Sequence, residues 1–183
     1  MKLTRRAAVL AAWLSTAVLA NEVPLIDGQR ALPADQLWQQ HGSGQTRLFG
    51  FTLYEASFWT AQAPSGAHWR QTPHALLLRY QRDFSGETLV DASLREMKRL
   101  GSTEADLARW KSPLSRVFPN VKAGETITGI HHPGQGALFL HQARSTGQID
   151  DPELARQFFA IWLDPRSRDP ELRKRLLGPL GSS

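Results

Sequence analysis

Two arginines and two tyrosines sit in or beside the two most apolar stretches of this 183-residue chain. Arg47 and Tyr54 belong to RLFGFTLYEASFW (47–59), and Arg79 and Tyr80 to HALLLRYQRDF (74–84). A guanidinium set among Phe49, Phe51, Leu76 and Leu78 loses water and needs an anionic or carbonyl partner. With a tyrosine hydroxyl beside it, the pair suits the charged end of an amphipathic carboxylate. Arg47, Tyr54, Arg79 and Tyr80 are therefore the candidate ligand-binding residues. The plainer alternative stays open. Glu55 or Asp83 would answer an arginine from within the chain, Arg79 would be a solvated strand residue, and each tyrosine would be core with a satisfied hydroxyl.

Other chemistries find less support. The chain has no cysteine, hence no disulfide, thiolate metal site or cysteine nucleophile. His131 and His132 are adjacent in an extended segment, so they face opposite sides, and only His141 could approach one of them across a hairpin. No H-E-x-x-H, G-x-S-x-G or phosphate-loop pattern occurs, so neither a metal nor a cofactor is expected and no catalytic residue is assigned.

The elements that must position these groups follow from periodicity. Residues 48–59 read as one long strand with apolar side chains on both faces and Gly50 as a bulge or a point of close approach. Gly42-Ser43-Gly44, just upstream, marks a kink or a place where another element nears the backbone. Residues 63–73 are a polar, turn-rich connection, and 74–84 alternate as a half-buried strand. The period then changes to that of a helix over 86–100, with Val90, Leu94 and Met97 on one stripe and Gly101 at its end. A second helix starts at Ser102 or Thr103, and Pro113 kinks or ends it. Residues 124–132 and 137–142 form a hairpin. Asp151-Pro152-Glu153 and Asp169-Pro170-Glu171 each open a helix with Asp as cap and Pro at the first position. Strands, helix pair, hairpin and helix pair make an α+β domain: one large antiparallel sheet with a helical layer on one face.

The first twenty residues have another purpose. Lys2, Arg5 and Arg6 precede an apolar run at 7–19, too short to cross a bilayer core of about 30 Å as a helix. Val18-Leu19-Ala20 offers a signal-peptidase site before Asn21. Residues 1–20 are thus expected to be a signal peptide and 21–183 a single domain, exported to the periplasm with no membrane span. Loss of three basic residues and no acidic one would lower the formal charge from +5 to 19 basic against 17 acidic, a net +2. That balance, with no dense Lys/Arg run, does not fit nucleic-acid binding.

Several short motifs, in order, resemble the chalcone isomerase-like family. They are Gly42-Ser43-Gly44, Leu53-Tyr54 with Ala56, Phe118-Pro119, Gly124-Glu125-Thr126-Ile127, His132-Pro133, Gly136-Ala137-Leu138 and Gly147-Gln148-Ile149. The close, FFAIWLDP at 158–165 followed by residues 172–178, is similar to the family's bacterial exported branch. The resemblance implies an open-faced β-sandwich with an apolar cleft between sheet and helices. In the plant enzymes of the family an arginine two residues after the Gly-x-Gly segment, a threonine, a tyrosine and an asparagine serve an intramolecular addition to an enone. The matching places here hold Thr46, Phe49 and, on the first helix, Ser85, Gly86, Ala92 and Ser93, with Arg47 one residue late. The family's fatty-acid-binding branch implies instead an Arg–Tyr pair holding a carboxylate. The expectation is an exported, non-catalytic protein with a small apolar or amphipathic, fatty-acid-like ligand in its cleft. The alternatives are an isomerase or intramolecular lyase acting on a conjugated carbonyl, and a scaffold for a protein partner.

Overall fold

Six strands in a plain antiparallel meander form the sheet, each paired with its neighbours in the sequence. A computed structural model describes residues 38–48, 50–60 and 69–178. The segment expected to be a signal peptide lies outside these residues, as do Phe49 and most of the 63–73 connection.

Strand β1 (Gln39–Leu48) and strand β2 (Phe51–Thr60) form the first hairpin, followed by β3 (His74–Tyr80). The single strand expected at 48–59 is therefore interrupted: Leu48 closes β1, and Gly50 turns the chain at φ +82°. Apolar flanks hid that turn, since only the glycine gives it away. The second hairpin joins β4 (Thr126–His132) to β5 (Gly136–His141), and a sixth strand, β6 (Arg144–Ile149), completes the meander. The sequence reading had no sixth strand. Its connection is made by Gln142 and Ala143 at φ 50° and 63°, a tight turn built without the glycine or asparagine that usually signals one.

Four helices pack on one face, giving the α+β open-faced sandwich. Helix α1 (Gly86–Arg99) is capped by Ser85, and α2 (Glu104–Val117) by Thr103 in a reciprocal box with Asp106. Pro113 sits inside α2 without ending it. Helices α3 (Pro152–Leu163) and α4 (Pro170–Leu177) start at Asp151 and Asp169, whose carboxylates accept from the free N–H groups of the first turn. Val90, Met97, Trp110, Leu114, Leu154 and Phe159 bury their stripes against Ala56, Phe58, Leu76, Leu78 and Phe139 of the sheet. Helix α4 lies across β1, where a Cβ on Gly42 would strike the carbonyl of Arg175. The small Gly-Ser-Gly patch therefore exists to admit a helix to the backbone.

The other sheet face carries a smaller apolar cluster of Trp38, Trp59, Ala75, Ile130 and Leu140. Strand β2 is thus covered on both faces only in its second half; its first half, Phe51–Glu55, stays partly exposed.

Candidate ligand cavity

Tyr54 and Tyr80 are cross-strand partners in the β2–β3 ladder, with ring centroids 6.0 Å apart. Both face the helices. Pairing of β1 with β2 steps from Thr46–Tyr54 to Arg47–Thr52, leaving Leu53 as an extra residue. A bulge of this kind turns two successive side chains to the same face. Leu53 and Tyr54 consequently both line a cavity of about 170 Å³ between the sheet and helices α1 and α3.

The free space has a cause in the sequence. Opposite the tyrosines, α1 presents Ala92 and Ser93, which are too small to reach the sheet, while Leu89 and Glu96 flank them. Helix α3 supplies the far wall with Phe158, Ile161 and Trp162. Trp162 Nε1 donates to the Tyr54 hydroxyl at 3.0 Å, which fixes that ring and leaves the Tyr54 proton available to another acceptor. The Thr46 hydroxyl stands across the strand pair, near enough to favour a phenolate on Tyr54, yet it makes no hydrogen bond of good geometry. Tyr80 is 6% exposed, and its hydroxyl has no hydrogen-bond partner among the described residues. Burial pushes both phenols above their ordinary range, Tyr80 most strongly and with Tyr54 adding to the effect.

The remaining polar groups are committed. Ser93 Oγ donates to the Leu89 carbonyl at 2.8 Å. Glu96, the one charged side chain on the lining, pairs with Arg99 at 2.8 Å and Arg168 at 3.0 Å. The cavity therefore offers an apolar wall, the Thr88 hydroxyl bonded to Ser85 at 2.8 Å, the Tyr80 hydroxyl, which no described side chain meets, and the hydroxyl of Tyr54.

The four expected site residues separate into two pairs. Tyr54 and Tyr80 meet in the cavity. Arg79 alternates to the other side of β3, opposite Glu55 in the register, with Nη1 donating to the Gly124 carbonyl at 3.3 Å. Arg47 is exposed and donates to Gln45 at 3.2 Å, on the face away from the helices. Arg47 follows Thr46, which faces Tyr54, so alternation along β1 leaves it outside. Sequence reasoning selected neither Trp162, with its bond to Tyr54, nor Glu96.

It also missed a second polar group at the other end of the same sheet face. His74 pairs with His131 in the β3–β4 register, with ring centroids 4.8 Å apart. Phe159 packs on both rings at 4.9 and 5.1 Å. His74 Nδ1 donates to the Thr72 carbonyl at 2.8 Å, while His74 Nε2 and His131 Nδ1 are buried without partners. Burial, with the neighbouring histidines adding to it, lowers His74 to about 3 and His131 to about 4. His141 is elsewhere, bonded to Glu125 at 2.9 Å. The register of β3 against β4, which no periodicity reveals, decides the His74–His131 partnership.

A model of the chalcone isomerase-like family matches residues 28–178, covering the whole sheet and all four helices. The chain belongs to the chalcone isomerase-like family. Among solved structures it is similar to the crystal structure of a fatty-acid binding protein of Arabidopsis thaliana. That likeness has a TM-score of 0.58 at 14% identity and covers 82% of this chain and 93% of the plant one. At that identity the likeness establishes the fold. Among curated proteins none matches this chain in sequence.

Proposed function

We propose that this protein is a non-catalytic carrier for a small apolar molecule whose polar end is uncharged. The observation that carries the reading is the apolar cavity with the unpartnered Tyr80 hydroxyl inside it. A hydroxyl on an apolar wall that no described side chain meets can bond a ligand carbonyl, ester or alcohol that enters the cavity. Size points the same way: an engineered apolar cavity of about 150 Å³ holds one benzene. A cavity of about 170 Å³ suits one ring or a chain of similar bulk, with a longer chain leaving through the mouth.

The structural neighbour is a fatty-acid binding protein, which supports a lipid-like ligand for this fold. Head-group charge is where the present cavity differs from a simple Arg–Tyr site. A carboxylate would lie beside Glu96 with neither Arg47 nor Arg79 on the lining. An isomerase reading would need a group to move a proton, and the lining supplies two phenols raised by burial, the bonded hydroxyls of Thr88 and Ser93, and Glu96, which is held by Arg99 and Arg168. Export to the periplasm, with cleavage before Asn21, belongs to the same proposal and is checked by the N-terminal sequence of the periplasmic protein.

Calorimetric titration with octan-1-ol and octanoate at pH 7.5 tests the ligand class. The alcohol should bind more tightly, and Tyr80→Phe should weaken it about three- to tenfold, the value of one hydrogen bond. Tighter binding of octanoate, lost on Arg47→Ala or Arg79→Ala, would return the site to carboxylates. Absence of binding by either probe would remove the carrier reading.

A further inference from the structure

Among the described residues two large apolar side chains are exposed, Leu48 at 53% and Phe51 at 59%. They flank the turn of the β1–β2 hairpin, and both are bordered by cations. Arg47 precedes Leu48 and is exposed, and the Arg82 guanidinium lies 4.8 Å over the Phe51 ring. The tip adjoins the cavity lining along both strands. Leu53, two residues beyond Phe51, lines the cavity, and so does Phe84, two residues beyond Arg82. Of the nearby acids, Asp83 accepts from the Ala123 N–H at 2.9 Å, and Glu55 stands opposite Arg79 in the β2–β3 register.

We propose that this hairpin tip docks the cavity mouth onto an anionic lipid surface. Exposed aromatic and aliphatic side chains on a narrow turn can enter the interface between head groups and acyl chains, while the flanking guanidiniums meet the lipid phosphates. A protein partner is a poorer match. Specific interfaces bury upward of about 1,000 Å², far more than the two apolar side chains described at this tip offer. Arg82 stacked on Phe51 holds the ring in place and carries its charge to the same depth. Docking would place the mouth against the membrane, where an apolar molecule could pass without crossing water. The proposal concerns the surface and stands whichever molecule the cavity holds.

The absence of cysteine makes a local test simple. A polarity-sensitive fluorophore is attached to the full chain at Leu48→Cys and, as a control, at Glu104→Cys on the exposed start of α2. Vesicles containing about one-third phosphatidylglycerol in phosphatidylcholine should shift the Leu48→Cys probe to shorter wavelength and leave the control unmoved. Pure phosphatidylcholine should shift it less, and high salt should reverse the difference, because screening weakens the attraction of exposed charges. Adding Phe51→Ser or Arg82→Glu should weaken partitioning about tenfold. Octan-1-ol affinity should be unchanged in these variants, which separates failure of docking from failure of the cavity. No shift, an equal shift at Glu104→Cys, or a shift indifferent to both Phe51→Ser and Arg82→Glu would overturn the proposal. Concentration-dependent dimerisation abolished by Phe51→Ser would overturn it too, assigning the tip to a second copy of the chain.

Discussion

The helix-facing stripe of β3 runs His74, Leu76, Leu78, Tyr80, and its two ends treat a buried polar group in opposite ways. At the His74 end, Phe159 closes over the imidazole pair, and Trp69 adds an edge contact at 6.0 Å. At the Tyr80 end, Ala92 and Ser93 stop short and the bulge at Leu53 widens the gap, leaving a cavity. Both ends hold polar atoms without partners. One is sealed into the core, and the other faces space a ligand can fill. An unpartnered polar atom is therefore a sign of function only where volume accompanies it.

Removing the seal should cost most. Phe159→Ala deletes a fully buried ring that touches both histidines and should lower stability by about 3–5 kcal/mol in urea unfolding. A loss under about 1 kcal/mol would mean that the His end is as loosely packed as the cavity.

Acid should act on the same end. Folded values near 3 and 4 lie below the ordinary 6.5 of imidazole, so below about pH 6.5 the unfolded chain takes up protons that the folded chain refuses. The stabilisation is complete above that pH and is lost as pH falls toward 4 and then 3. The slope is at most about 1.4 kcal/mol per pH unit for each ring. His41, lowered by burial as well, adds in the same direction. Urea midpoints between pH 7.5 and 4.5 measure this before most carboxylates titrate, and His74→Phe should flatten the curve. An unchanged curve in that variant would place the pH dependence elsewhere.

The cavity end should respond more weakly in stability. Tyr54→Phe removes the acceptor of Trp162 Nε1 and should cost about 1 kcal/mol. Ala92→Leu, which pushes a side chain into free volume, should change stability by less than about 1 kcal/mol, in either direction, while abolishing octan-1-ol binding. A loss of several kcal/mol from Ala92→Leu would show that the space is already filled, and the two ends would cease to differ.

Periodicity made much of this architecture legible. The helical stripe of α1 and the repeated Asp-Pro-Glu starts follow from side-chain burial, which sequence displays directly. The half-buried strand expected at 74–84 is instead β3 over His74–Tyr80, buried at every residue but Arg79, because the cluster holding Ala75 covers its second face. The β1–β2 turn and β6 were hidden because their turns carry apolar or ordinary residues at Leu48–Phe51 and Gln142-Ala143. The site was half legible for a related reason. Tyr54 and Tyr80 follow from alternation within their strands, but the β1–β2 turn and the bulge that inserts Leu53 in β2 set which residues of β1 stand beside them. Arg79 was always on the opposite face from Tyr80, since neighbours in a strand alternate. The His74–His131 pair needed the register of β3 against β4 across two intervening helices.

Methyl-resolved NMR during titration with octan-1-ol tests the cavity most directly. The account predicts saturable shifts at Leu53, Leu78, Leu89, Ile127 and Ile161, which line the space, with Ile130 and Leu140 across the sheet unmoved. In Tyr80→Phe the same methyls should shift with several-fold weaker affinity. Shifts spread evenly over both faces, or none at the lining methyls at saturating alcohol, would contradict it.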